Sequence, residues 1–169
     1  MVTVAEGLER RVWDELATLP DPEIPAISVV DLGVIGSVAA SGDRVRIELL
    51  PTFVGCPAVG IMQQQIGERI GALGLEVEVE VSYDPPWTSD RISPAGREAL
   101  RRSGFAPPAP MSAGPALGML DELAVLPIAE CPYCRSRNTT MDNPFGPTLC
   151  RAIYHCGDCR QPFEQFKRV

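Results

Sequence analysis

The chain has 169 residues, 45% hydrophobic and 22% charged, with 17 Pro and 15 Gly. This fits one ordinary domain, or a small domain joined to a minimal module through a Pro/Gly-rich stretch, and it excludes a large multidomain enzyme and disorder throughout. The net charge of -7 argues against nucleic acid or an anionic membrane as the main target, yet it is uneven: residues 1–104 carry 9 Arg against 16 Asp and Glu, whereas 128–169 carry 6 basic and 4 acidic residues.

Leu8, Val12, Leu16 and Leu19 recur at helical spacing, which predicts an amphipathic helix over 6–19, ended by Pro20 and Pro22. The Val- and Ile-rich run 27–38 reads as a strand, in which Asp31 would be a costly interruption unless hydrogen-bonded or part of a site. After Ser41-Gly42-Asp43, the alternation over 44–50 predicts the second arm of a hairpin. Met62, Ile66, Ile70 and Leu73 place a second helix over 57–75, and Val77, Val79, Val81 and Tyr83 alternate with Glu78, Glu80 and Ser82 in a third strand. Ser93 as N-cap and Pro94 at the first helical position open a last helix, which runs to about Arg102 and stops at Gly104. The order is α-β-β-α-β-α. Because a helix separates the second and third strands, the expected fold is α+β, a small mixed three-stranded sheet with helices on one face.

Residues 105–127 are rich in Pro, Ala and Gly and read as a linker, with one or two helical turns over 117–126. Residues 1–104 and 128–169 are then the two domains. No run of 18 apolar residues occurs and the N-terminus has no apolar core, so neither a membrane span nor a signal peptide is expected. A cytoplasmic setting follows, where six Cys read as metal ligands or reactive thiols before disulfides.

Cys131-Pro-Tyr-Cys134 and Cys156-Gly-Asp-Cys159 are two CxxC pairs separated by a spacer suited to a structural metal site. Four thiolates would complete a tetrahedral shell, and the metal would supply folding free energy that a segment this short cannot draw from its core. Zinc in a β ribbon is the favoured reading, with rubredoxin-like iron or a cluster as the alternative. The β-prone stretches 139–141, 151–155 and 162–167 supply the strands. Cys150 is surplus to four ligands, either a small buried residue or a substitute ligand, and His155 reads as a strand residue. The cations of this region are not densely clustered, so protein docking is expected over nucleic acid.

Cys56, in Gly55-Cys56-Pro57, stands before the second helix as N-cap or its neighbour, where the helix N-terminus would lower its pKa. It is either a nucleophilic or metal-binding thiol or an inert buried one. Asp21 and Glu23 form an acidic turn, and Trp87 lies in the loop before the last helix. The chain has no P-loop or GxGxxG pattern, and its single His adjoins a candidate metal ligand, so independent catalysis is not expected.

The residues DPEIPAISVVDLGVI, PTFVGCPA and DPPWTSDRIS, in this order, resemble the metal-sulfur (iron-sulfur) cluster assembly factor family over about residues 6–104. Combined with FGPTLCRAIYHCGDCRQPFEQFK, the chain is similar to the phenylacetate-degradation branch of that family. The resemblance implies a non-catalytic accessory protein of the ring 1,2-phenylacetyl-CoA epoxidase, with the oxygenase and reductase components as partners and iron or an iron-sulfur cluster as cargo. It implies that Cys56 is the reactive thiol, with Asp21, Glu23, Asp31, Thr52 and Trp87 around it. One thiol cannot hold a cluster alone. A bridge across a homodimer, mixed Cys and carboxylate ligation, and transient capture are the ways around this. The other function carried forward is a structural subunit of the epoxidase in which Cys56 is inert.

Overall fold

A computed structural model describes residues 4–108 and 128–168. The turns expected at 117–126 lie outside them. The contact pattern divides the chain into two units, one formed by residues 1–87 and 91–96 and the other by 88–90 and 97–169.

In the first unit, α1 (Val4–Leu16) precedes the hairpin β1 (Ile35–Ser41) and β2 (Arg44–Leu49), α2 (Val59–Gly71) and β3 (Glu76–Val81). The sheet order is β1-β2-β3, with β1 and β2 antiparallel and β2 and β3 parallel, so α2 is the crossover. Val45, Ile47 and Leu49 of β2 are buried together with Val12 and Leu16 of α1 and Met62, Ile66 and Ile70 of α2, as the spacings require. The opposite side chains form a solvated ladder in which Arg44 pairs with Glu76 and Arg46 lies 3.2 Å from Glu80. The last helix, α3, spans Pro94–Arg102.

The expected strand over 27–38 is corrected. Only Ile35 onward is strand, and 29–33 fold into turns in which the Leu32 N–H donates to the Ser28 carbonyl at 2.8 Å and the Gly33 N–H to that of Val30 at 2.9 Å. Gly33 has φ +75, and a Cβ there would lie 2.5 Å from the Arg91 carbonyl oxygen, so glycine is required twice over. The apolar run is buried as packed turns.

The second unit contains β4 (Phe105–Ala106), β5 (Thr139–Asn143), β6 (Arg151–Cys156) and β7 (Pro162–Phe166), in the sheet order β4-β7-β6-β5. β5, β6 and β7 form an antiparallel ribbon, and β4 joins β7 in parallel. The linker assignment is therefore corrected at its start. Phe105 and Ala106 are ladder residues: Ala106 is buried, and the Arg151 guanidinium lies 5.6 Å from the centre of the Phe105 ring. Composition marked the Pro/Ala run but not these two residues, whose strand exists only through pairing with distant β7.

Candidate functional site

The four cysteines Cys131, Cys134, Cys156 and Cys159 bring their sulfurs within 4.8 Å of one another. Each pair sits in a knuckle of the same construction. The Cys131 N–H donates to the Ser136 carbonyl at 2.9 Å and the Arg135 N–H to that of Cys131 at 3.0 Å. In the second knuckle, the Cys156 N–H donates to Gln161 at 3.0 Å and the Arg160 N–H to Cys156 at 2.9 Å. The Asp158 carboxylate accepts from Ser136 Oγ at 2.5 Å and Asn138 Nδ2 at 2.7 Å, joining the two knuckles.

The sulfur separations of 3.7 Å (Cys131–Cys159) and 3.5 Å (Cys134–Cys156) fit a metal ion. A tetrahedral ion with metal–sulfur bonds of about 2.3 Å spaces its sulfurs by roughly 3.8 Å. In the absence of metal the Cys156 thiol is pulled down to about 6, chiefly by the Cys159 backbone N–H and against burial. One ligand is thus poised to bind as thiolate. Among the described residues this is the set of three or more Cys, His, Asp or Glu donors that could hold a metal ion. Cys150 is buried elsewhere, 3.1 Å from Thr148 Oγ1, and His155 lies within β6.

Cys56 lies in the loop between β2 and α2, half-buried, with Thr52 also half-buried at the start of that loop. The expected cap is corrected: α2 begins at Val59 with Ala58 as N-cap, so Pro57 is not the first helical residue and Cys56 stands two residues before the cap. Its sulfur still faces the helix N-terminus, accepting from the backbone N–H groups of Ala58 and Val59. The pKa is nevertheless raised, opposite to expectation. Burial is the largest cause, opposed by the Ala58 N–H and reinforced by the Glu23 and then the Asp21 carboxylate. The same influences bring these two acids into the electrostatic surroundings of Cys56.

The other residues singled out are engaged in the fold. Asp21 is buried and its Oδ1 accepts from the Glu23 and Ile24 N–H groups at 2.9 and 2.8 Å. Asp31 belongs to the 29–33 turns, where its carboxylate accepts from Ser28 Oγ at 3.1 Å and Ser93 Oγ at 2.5 Å, while Ser93 Oγ accepts from the Gly96 N–H at 2.9 Å. Asp31 thereby orients the N-cap of α3. Trp87 is buried and donates from Nε1 to the Leu32 carbonyl at 3.1 Å. Sequence reasoning missed the stitching by Asp158, Ser136 and Asn138, although hydrogen-bonding side chains beside both CxxC pairs were a readable signal.

Residues 9–82 match the iron-sulfur cluster assembly protein family, and residues 121–167 match the PaaD zinc beta ribbon domain. A domain of unknown function, DUF59, from Bacillus anthracis shares the fold at TM-score 0.54 and 28% identity, over 57% of this chain and 93% of that one. The Fe-S protein maturation auxiliary factor YitW of Bacillus subtilis (strain 168) is 29% identical over 98 residues, 56% of this chain and 95% of that protein. A 1,2-phenylacetyl-CoA epoxidase subunit of Escherichia coli (strain K12) is 38% identical over the whole of this chain and 98% of its own length. With both regions matched in order along one full-length relative, the chain belongs to the PaaD family of phenylacetyl-CoA epoxidase subunits, in which an iron-sulfur cluster assembly region precedes a zinc ribbon.

Proposed function

We propose that this chain is an accessory maturation protein of the phenylacetyl-CoA epoxidase system, working in the cytoplasm on the oxygenase or reductase component. Cys56 touches iron or an iron-sulfur cluster in transit, and the ribbon, holding zinc through Cys131, Cys134, Cys156 and Cys159, recognises the client. The observation that carries this reading is the completeness of the ribbon's four-thiol set without Cys56. Cys56 is left as a loop thiol in an acidic setting within the region that matches cluster assembly proteins.

The raised thiol pKa suits transit. At neutral pH Cys56 carries its proton until a cation displaces it, so binding is weaker than at a preformed thiolate. Capture is a ligand exchange: the sulfur's proton passes to solvent or a nearby carboxylate, a sulfur–iron bond forms, and a donor's ligand leaves. Hand-off reverses the exchange, and no electrons are transferred. Glu23 offers an oxygen donor that suits iron alongside sulfur.

Substituting Cys56→Ser should leave a folded, metal-loaded ribbon and lower the iron content of the client produced alongside it. Client iron equal to wild type would instead support the second reading, a structural subunit with an inert Cys56, which the raised pKa also favours. That reading predicts stable co-purification with the epoxidase and indifference to the substitution.

A further inference from the structure

The two knuckles share a feature that metal binding does not demand. Arg135 and Arg160, each directly after the second cysteine of its pair, have φ of 65 and 59, and among the described residues they are the non-glycine residues in the left-handed region. Glycine adopts that conformation freely, whereas any side chain makes it costly. Strain kept at two equivalent positions points to a use for the side chains.

The fold makes little use of them. Arg160 is exposed and has no ion-pair partner among the described residues, and Arg135 pairs with Glu130 at the surface, an arrangement that contributes little. The neighbouring acids are engaged: Asp158 by Ser136 and Asn138, and Glu164 by Arg151. Arg137 is exposed as well, so positive charge is left over around the metal site. Tyr133, between the ligand cysteines, is 57% exposed and borders a cavity of about 310 Å³ lined also by Phe105, Ile153 and Phe163. Tyr and Arg around an apolar pocket are the residues that dominate protein interfaces.

We infer that Arg135, Arg160 and Tyr133 form the ribbon's docking surface for an acidic segment of a partner protein. The uncompensated cations select an acidic partner by charge, and the cavity beside Tyr133 accepts an apolar side chain of that segment. This rests on the epoxidase reading for the choice of partner.

The test is calorimetric binding of the full zinc-loaded chain to the purified oxygenase and reductase components, comparing wild type with Arg135→Gly/Arg160→Gly. Arg135→Asn/Arg160→Asn, which also tolerates the left-handed region, guards against effects of added backbone freedom. Both variants should keep their zinc, the glycine variant should melt higher, and both should bind one component about a hundredfold more weakly, roughly tenfold per arginine. Wild-type affinity should fall with added salt. Unchanged affinity overturns the proposal, as does loss of zinc, which would show that the arginines serve the thiolates, or tighter binding of wild type to a DNA duplex than to either component. A wild type that binds neither component overturns the proposal and removes the ribbon's client-recognition role, whereas the client iron of the Cys56→Ser variant tests the maturation reading separately.

Discussion

Leu16, Ile47, Leu49, Ile66 and Ile70 of the first unit have no exposed surface, whereas the ribbon's core cluster holds Ala106, Ala129 and Ala152, two of the candidate metal ligands, and only Tyr154 and Phe163 as large side chains. Branched aliphatic residues from a sheet and two helices exclude enough water to sustain the first fold through burial. Three alanines and a stacked Tyr154–Phe163 pair, with ring centres 5.7 Å apart, do not do so for the second. Cys131 and Cys156 are both core and ligand, so in the ribbon folding and metal binding are one equilibrium.

The sharpest way to break this contrast is to remove the metal. Chelation, or Cys131→Ser, should abolish the dispersed amide signals of residues 128–168 while those of the first unit persist, because a structural zinc site is worth about 10–16 kcal/mol of apparent binding free energy at neutral pH. Persistence of the ribbon signals without metal would show that its small core suffices. The converse substitution, Ile66→Ala, should destabilise the first unit by about 2–5 kcal/mol in denaturant melts without releasing metal. Metal loss in that variant would mean that the two regions do not fold independently.

Smaller effects sharpen the picture of the turns that replaced a strand. Trp87→Phe strands the Leu32 carbonyl and should lower stability by about 1–3 kcal/mol. Ser93→Ala removes the α3 cap and a partner of Asp31 and should cost about 1 kcal/mol. If both variants melt like wild type, these hydrogen bonds are not what holds the turns.

The smallest change concerns the Cys56 thiol. Its alkylation at neutral pH should be slower than that of an unperturbed cysteine and should accelerate in Glu23→Gln, because removing that negative charge lowers the pKa. A raised thiol pKa in the folded state means that this group's contribution to stability is complete below the ordinary value of 9.0 and is lost as the pH rises through the folded value. Acidification should therefore leave the Cys56 loop undisturbed. An alkylation rate that is unaltered in Glu23→Gln would remove the acid from the electrostatics of the site.

Periodicity was enough to read α1, the hairpin, α2, β3 and α3, because each buries one face of a regular element. The CxxC spacing was enough to place the four thiols together, since each knuckle is local. What was illegible depends on contacts between distant residues. The run Ile-Ser-Val-Val-Asp-Leu has strand composition, but Asp31 holds Ser28 and Ser93, Gly33 turns the chain, and Leu32 is tied to Trp87, 55 residues away. The polarity of the Cys56 site was misread for a similar reason. A helix N-terminus does lower a thiol pKa, but burial and the acids at 21 and 23 outweigh it.

The central claim is that the six cysteines divide into four for a structural metal, one working thiol at Cys56, and Cys150 in the ribbon interior. Metal and acid-labile sulfide analysis of anaerobically purified wild type and Cys56→Ser tests this most directly. The account predicts one zinc per chain in both proteins and iron, with or without sulfide, in wild type alone. Iron retained in Cys56→Ser, or zinc lost from it, would contradict the account.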